Sequence, residues 1–215
     1  MKGELEKIFK RLYFVFGPQH WWPAQSAFEV IVGAILTQNT SWSNVEKAVA
    51  VLRKNKLLNA RRMQRMPVRR LAGLIKSSGY YNIKAARLKS FLEFFSRHYS
   101  AKLGDLAGQE PAVLRKQLLA VKGIGPETCD SILLYALGKP VFVVDAYTKR
   151  ILSRHGLAKE DAPYREVQDI FMRNLKPDVK LFNEYHALLV KLGKDYCRKQ
   201  NPKCEICPLR SIKKD

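Results

Sequence analysis

The chain has 215 residues, 39 Lys and Arg against 19 Asp and Glu, and a formal net charge of +20. With 47% apolar residues it can bury a core, so it is no disordered basic tail. A folded chain this basic expects a polyanion, most often nucleic acid. Its longest apolar stretches, around Phe28–Leu36 and Ile132–Val144, are interrupted by Glu29, Gly33, Gly138, Lys139 and Pro140. They fall short of a membrane span of about 18 apolar residues. The N-terminus alternates charge with apolar residues and shows no export signal, so a cytoplasmic, nucleoid-associated location is expected.

The periodicity is helical almost throughout. Leu5, Ile8, Phe9, Leu12 and Phe16 repeat at i, i+3, i+4, i+7, i+11. After a breaker region, Gly17–Pro23, the residues Phe28, Ile31, Val32, Ile35 and Leu36 predict a buried central helix that ends in the polar Thr37–Thr40. Further helices are read over Val45–Leu52, from Pro67 to Ser78–Gly79, over Lys84–Tyr99 and over Pro111–Ala120, with proline at a first helical position in the last. Only Val141–Val144 looks strand-like. The expected fold is all-α and two-lobed, with a DNA cleft between a bundle over 26–138 and a terminal lobe built from 1–25 and 139–215.

Leu118–Leu137 carries the first strong motif. A helix ends, Val121-Lys122-Gly123-Ile124-Gly125 makes a tight turn, and Pro126 opens a second helix. Glycines at 123 and 125 permit positive φ and a close backbone approach, with Ile124 as a plug. The amides of Gly123 and Gly125, with Lys122 beside them, are then placed to hold a phosphate. An ordinary helical hairpin would also use glycine here. The charge and the motif that follows favour nucleic acid. That motif is Val141-Phe142-Val143-Val144-Asp145. Asp145 is expected to cap the next helix, Ala146–Leu152. A rigid carboxylate there can also stabilise an oxocarbenium-like sugar and position a water.

These residues resemble the endonuclease III superfamily of DNA glycosylases, over about Phe28 to Cys207. The resemblance makes Asp145 the catalytic aspartate and Gln38, in Leu36-Thr37-Gln38-Asn39-Thr40, the wedge that fills the gap left by a flipped nucleotide. Bifunctional members carry a lysine two residues after the second glycine. Here Glu127 stands there, and a carboxylate forms no Schiff base, so a monofunctional enzyme using water is expected. Trp21-Trp22-Pro23, then the Gln38 motif, then Trp42 resemble the 3-methyladenine DNA glycosylase branch. There Trp22, Pro23 and Trp42 would line the base pocket. A cationic alkylpurine gains roughly 0.5–2 kcal/mol on an indole face. The implied partner is double-stranded DNA with a damaged base, met by a monomer. The rivals are excision of oxidised pyrimidine, uracil or mispaired adenine, a lyase with a displaced lysine, and a non-enzymatic binding module.

Cys197, Cys204 and Cys207 follow the first three positions of the superfamily's [4Fe–4S] pattern, and Lys213 stands at the fourth. Clusters and structural zinc normally take four ligands. The loop is read as a cluster site completed by a non-cysteine ligand, with Asp215 and His186 as candidates, as a labile three-iron form, or as a former site without iron. Arg198, Lys199, Lys203, Arg210, Lys213 and Lys214 are expected to neutralise phosphate. The four histidines show no mutual metal spacing and receive no chemistry. Cys129 is expected in the core. Tyr147 and Lys149 are open either to the lesion strand or to solvent.

Overall fold

The first apolar stripe folds as helix α1 (Lys2–Phe16), with Leu5, Ile8 and Leu12 buried. The structure, a computed structural model, describes residues 1–212. It separates into two units, Ala24–Lys139 and Met1–Pro23 together with the chain from Pro140.

The Ala24–Lys139 unit is organised on α2 (Ala27–Leu36), whose residues from Phe28 to Leu36 are all buried. The Ser26 hydroxyl caps it by accepting from the Glu29 amide at 3.2 Å. Glu29 is 4% exposed on this apolar helix. It is compensated by Arg53 Nη2 at 2.5 Å, from α3 (Trp42–Lys54). The chain continues through α4 (Ala60–Arg65), α5 (Val68–Leu74), a 3₁₀ turn (Lys76–Ser78), α6 (Tyr81–Tyr99), α7 (Leu103–Ala107), α8 (Pro111–Leu119) and α9 (Pro126–Ser131). A π turn, Ile132–Ala136, extends α9. α2 packs against α3, α6, α9 and this π turn, while α4 and α5 pack on α6. Helices α4 and α7 carry too few apolar residues to show a periodic stripe. For α4 the readable signal is Asn59, whose Oδ1 accepts from the Arg62 amide at 3.1 Å.

The other unit combines α1 with α10 (Ala146–Arg154), α11 (Tyr164–Asn174) and α12 (Val179–Asp195), the last contributing nine buried residues. Val141–Val144 takes no regular secondary structure, and no strand occurs among the described residues. Side chains, not a neighbouring strand, satisfy its backbone. Gln168 Nε2 donates to the Phe142 carbonyl at 2.7 Å, and the Val144 amide donates to the Tyr164 hydroxyl at 3.3 Å. Phe142, Val143 and Val144 are buried, and Phe142 stacks on Phe171 at 3.7 Å with Phe182 and Tyr185 edge-on. Among the described residues no helix is long and apolar enough to cross a membrane.

Candidate active site and nucleic-acid interface

The glycine motif forms a helix-hairpin-helix from α8 and α9. Leu114, Leu118, Val121 and Ile124 are buried, and the Ile124 amide closes the turn on the Val121 carbonyl at 3.0 Å. Gly123 has φ +90°, but Gly125 sits at −90° in an extended conformation as the cap of α9. Positive φ is thus needed at the first glycine only, which corrects the expectation for the second. Among the described residues neither glycine amide has a hydrogen-bond partner, and Lys122 and Gly125 are exposed beside them. The two helices are tied by a bidentate pair. Arg115 Nε and Nη2 donate to Asp130 Oδ1 and Oδ2 at 2.7 and 3.0 Å, with Asp130 fully buried. Glu127 is exposed in the first turn of α9.

Gln38 lies in the turn after α2 and reaches this hairpin. Its Nε2 donates to the Gly123 carbonyl at 3.0 Å and to Thr128 Oγ1 at 2.9 Å, and its Oε1 accepts from Arg87 Nη1. Arg87 also covers Gly123 so closely that a Cβ there would lie 2.3 Å from Arg87 Cγ. This second glycine requirement is one of space. The carbonyl that ends α2 is held from below by Lys84, 1% exposed, whose Nζ donates to Leu36 O at 2.7 Å and Ser78 O at 2.5 Å. Burial, and then the charge of Arg87, lowers the Lys84 pKa to about 8.

Asp145 caps α10, as its position after the Val141–Val144 segment implies. Its Oδ1 accepts from the Thr148 amide at 2.7 Å and the Thr148 hydroxyl at 2.9 Å. Its Oδ2 lies 3.6 Å from Nε2 of His186 on α12, a buried histidine. Desolvation pushes the Asp145 pKa up, but the nearby His186 and the two Thr148 donors outweigh it, and the net shift is downward. The carboxylate is thus both confined and ionised. The sequence offers His186 only as a candidate cluster ligand. The structure commits it to Asp145 instead. The missed signal was a histidine inside the apolar run Phe182, Tyr185, Leu188, Leu189.

Trp22 is half-buried and Pro23 exposed in one unit, and Trp42 is half-buried at the start of α3 in the other. Trp21 and Trp22 meet ring to ring at 5.4 Å, with Lys194 Nζ 5.9 Å from the Trp21 ring. A groove of about 420 Å³ beside the hairpin is lined by Phe94, Arg97, His98, Gln117, Val121 and Lys122 among others, and by none of Gln38, Trp22, Pro23 and Trp42. Tyr147 is packed onto α12, where a Cβ on Gly193 would lie 2.4 Å from its ring, and Arg150 sits 5.1 Å from the ring centroid. Lys149 Nζ donates to the Ala162 carbonyl at 2.8 Å. Both residues are engaged within their own unit.

Cys129 is buried as expected, and burial, with the neighbouring Asp130 charge, pushes its thiol up to about 12. In the C-terminal loop Cys197 is buried, Cys207 half-buried and Cys204 exposed. Arginines hold this loop. Arg150 Nε donates to the Cys197 carbonyl at 2.7 Å, Arg154 Nη1 to Cys197 Sγ at 3.4 Å and to the Arg198 carbonyl at 2.8 Å, and Arg11 Nε to the Pro208 carbonyl at 3.1 Å. Among the described residues no group of three or more His, Cys, Asp or Glu is arranged to hold a metal ion. Lys213, Lys214 and Asp215, named above as the fourth position, a phosphate neutraliser and a candidate ligand, lie outside the described residues. The described donors do not make a four-ligand site, and no step below runs through a cluster.

Residues 32–177 match the family model of the HhH-GPD superfamily base excision DNA repair proteins. A protein of Methanocaldococcus jannaschii described as a DNA repair glycosylase is 46% identical over 208 residues, 96% of this chain and 94% of its own. Endonuclease III of Thermotoga maritima is 29% identical over 86% of this chain and 81% of its own. Among solved structures, the H. pylori 3-methyladenine DNA glycosylase bound to 1,N6-ethenoadenine has a TM-score of 0.78 and 28% identity, covering 89% of this chain and 97% of that one. The chain belongs to the HhH-GPD superfamily and is a base excision DNA glycosylase.

Proposed function

We propose that this glycosylase is monofunctional and hydrolytically excises alkylated purines such as 3-methyladenine from double-stranded DNA, leaving an abasic site. The observation that carries the reading is Asp145, a carboxylate fixed by Thr148 and His186 and held in its ionised form. Such a group stabilises positive charge developing on the sugar and orients the attacking water. An N-alkylated purine is already a cationic leaving group, so no strong acid is needed to expel it. Trp22, Pro23 and Trp42 supply the aromatic and apolar faces that read a flipped base. Gln38 fills the vacated stack, and Gly123, Gly125 and Lys122 hold the backbone phosphate. With Glu127 two residues after Gly125, no amine stands at the lyase position to open the sugar. Similarity to the H. pylori enzyme supports the substrate class. Similarity to endonuclease III keeps a second reading open, an endonuclease III-like glycosylase for oxidised pyrimidine, uracil or mispaired adenine. The enzyme would act as a monomer in the cytoplasm, on nucleoid DNA.

The test is base release from methylated duplex DNA, followed by chromatography, for wild type and Asp145→Asn. Release of 3-methyladenine by wild type, lost in the variant with DNA binding intact, and no borohydride-trapped adduct, is the expected result. Release of oxidised pyrimidine alone would overturn the substrate, and a trapped adduct would overturn the monofunctional assignment. Iron analysis of the purified protein tests a [4Fe–4S] cluster on Cys197, Cys204 and Cys207. Iron at cluster stoichiometry supports it, and its absence leaves the arginine tethers as what holds the loop.

A further inference from the structure

Between Glu46 and Glu93 the chain carries thirteen Lys and Arg and no Asp or Glu. Five of them, Arg61, Arg62, Arg65, Arg69 and Arg70, lie on α4 and α5, and all five are exposed. These helices turn Ala60, Met63, Leu71 and Ala72 inward, so the arginines form their outer face. Among the described residues none of the five enters an ion pair. Arg61 and Arg65 stand at i, i+4 and Arg62 and Arg65 at i, i+3, so like charges repel along a helix of only six residues. Nothing in the fold gains from that repulsion. An anionic partner would relieve it.

This face is separate from the hairpin. Lys89 Nζ, on α6, donates to the Met63 and Gln64 carbonyls of α4 at 3.1 and 2.5 Å, and Ser96 Oγ to Gln64 Oε1 at 2.5 Å. Arg87, which meets Gln38 and covers Gly123, stands two residues before Lys89, about 200° around the same helix. The arginine face and the hairpin therefore occupy different flanks of α6.

We propose that the outer face of α4 and α5 is a second DNA-binding surface, which takes the phosphate backbone of duplex DNA beyond the stretch held by the hairpin. Arginine forks suit phosphate oxygens better than point-charge ammoniums. Each helix is about 10 Å long, and strand phosphates advance about 3.4 Å along the duplex axis, so each helix passes about three of them. An anionic membrane is a poorer fit, because Val68 is the one strongly exposed large apolar residue on α4 and α5 and these helices offer no apolar face for insertion.

The experiment measures binding of undamaged DNA against salt, for the full chain and for the variant Arg61→Gln/Arg62→Gln/Arg65→Gln/Arg69→Gln/Arg70→Gln. The double variant Arg61→Gln/Arg65→Gln stands in if the quintuple does not fold. Duplexes of about one and about four helical turns are compared. For the long duplex the slope of log affinity against log salt should fall by about 3, if three of the five arginines reach phosphates, and affinity at low salt should drop roughly tenfold or more. The short duplex should bind unchanged, and so should single-turnover base release at saturating enzyme. An unchanged slope on the long duplex overturns the proposal. So does an equal loss on both lengths, or a loss seen with single-stranded RNA or phosphatidylserine vesicles and not with DNA. Undamaged DNA reports on this surface whatever base the enzyme excises.

Discussion

Replacing Lys84 with Met tests how a buried amine supports the turn that carries Gln38. In the fold Lys84 releases its proton at about 8 instead of the ordinary 10.5, because burial disfavours the charged form and Arg87 adds to that. Between those two pH values the unfolded chain still holds the proton and the folded chain has lost it. Stability contributed by this group therefore rises with pH across that window. A separation from 10.5 to about 8, at 1.36 kcal/mol per pH unit, amounts to about 3 kcal/mol. The neutral amine has two N–H groups, which match its two acceptors, Leu36 O and Ser78 O. Lys84→Met strands both carbonyls, at about 1–3 kcal/mol each, offset near neutral pH by the relief of a desolvated charge. Other groups act in the opposite sense. Cys129, pushed up to about 12, and Tyr185, also raised by burial, keep their protons in the fold and lower stability at high pH. The informative quantity is therefore the difference between wild type and variant. Urea unfolding at pH 8 and at 10.5 should show that difference widening by about 3 kcal/mol, with m unchanged. A constant or narrowing gap would refute the account of Lys84.

Gly123→Ala forces a non-glycine residue to φ +90° and puts Cβ 2.3 Å from Arg87 Cγ. A loss of about 3 kcal/mol or more is expected from the left-handed backbone together with the displaced Arg87–Gln38 bond, measured by thermal or urea unfolding. Combining it with Arg87→Ala should cost less than the sum of the two single changes, and strict additivity would argue against the contact. Asp130→Asn leaves Arg115 poorly compensated in the hairpin and should destabilise by up to about 3–5 kcal/mol, read as a lowered melting temperature. His186→Phe removes groups that lower the Asp145 pKa and leaves its desolvation in place. The acid limb of the pH–rate profile should move to higher pH while undamaged-DNA affinity stays constant, and an unmoved limb would show that His186 does not tune the carboxylate.

The helical class, α1, α2, α6, α8 and the hairpin were readable because their apolar residues recur at helical spacing between strong breakers. Asp145 was readable because an apolar run ends on a capping residue. Val141–Val144 reads as strand-like but too short to make a sheet, and what holds it was not legible, since the stacking of Phe142 on Phe171 and the backbone bonds from Gln168 and Tyr164 depend on residues 20 or more positions away. Partner residues were the least visible part of the site. Nothing local pairs Asp145 with His186, 41 positions on, or Gln38 with Arg87, 49 positions on. Two of them did leave a trace. Lys84 falls on the apolar stripe with Leu88, Phe91, Leu92 and Phe95, and His186 interrupts an apolar run, so a polar residue in a core position was itself the signal.

The Gly123 peptide joins two tasks usually considered separately. Its amide belongs to the turn proposed to present donors to phosphate, while its carbonyl accepts from Gln38. Both hydrogens of the Gln38 amide are engaged, and its oxygen is taken by Arg87. In the proposed wedge role Gln38 has to exchange those three bonds for bonds to an orphaned base. At about 0.5–1.5 kcal/mol net for each bond the exchange involves about 2–4 kcal/mol. That is comparable to the few kcal/mol needed to unpair and unstack a nucleotide, which is lowest for a damaged base. If Gln38 is the wedge, its resting bonds to the hairpin add a threshold that intact pairs are less able to cross than damaged ones. The residues that set its height, Arg87 and Thr128, need make no contact with the base.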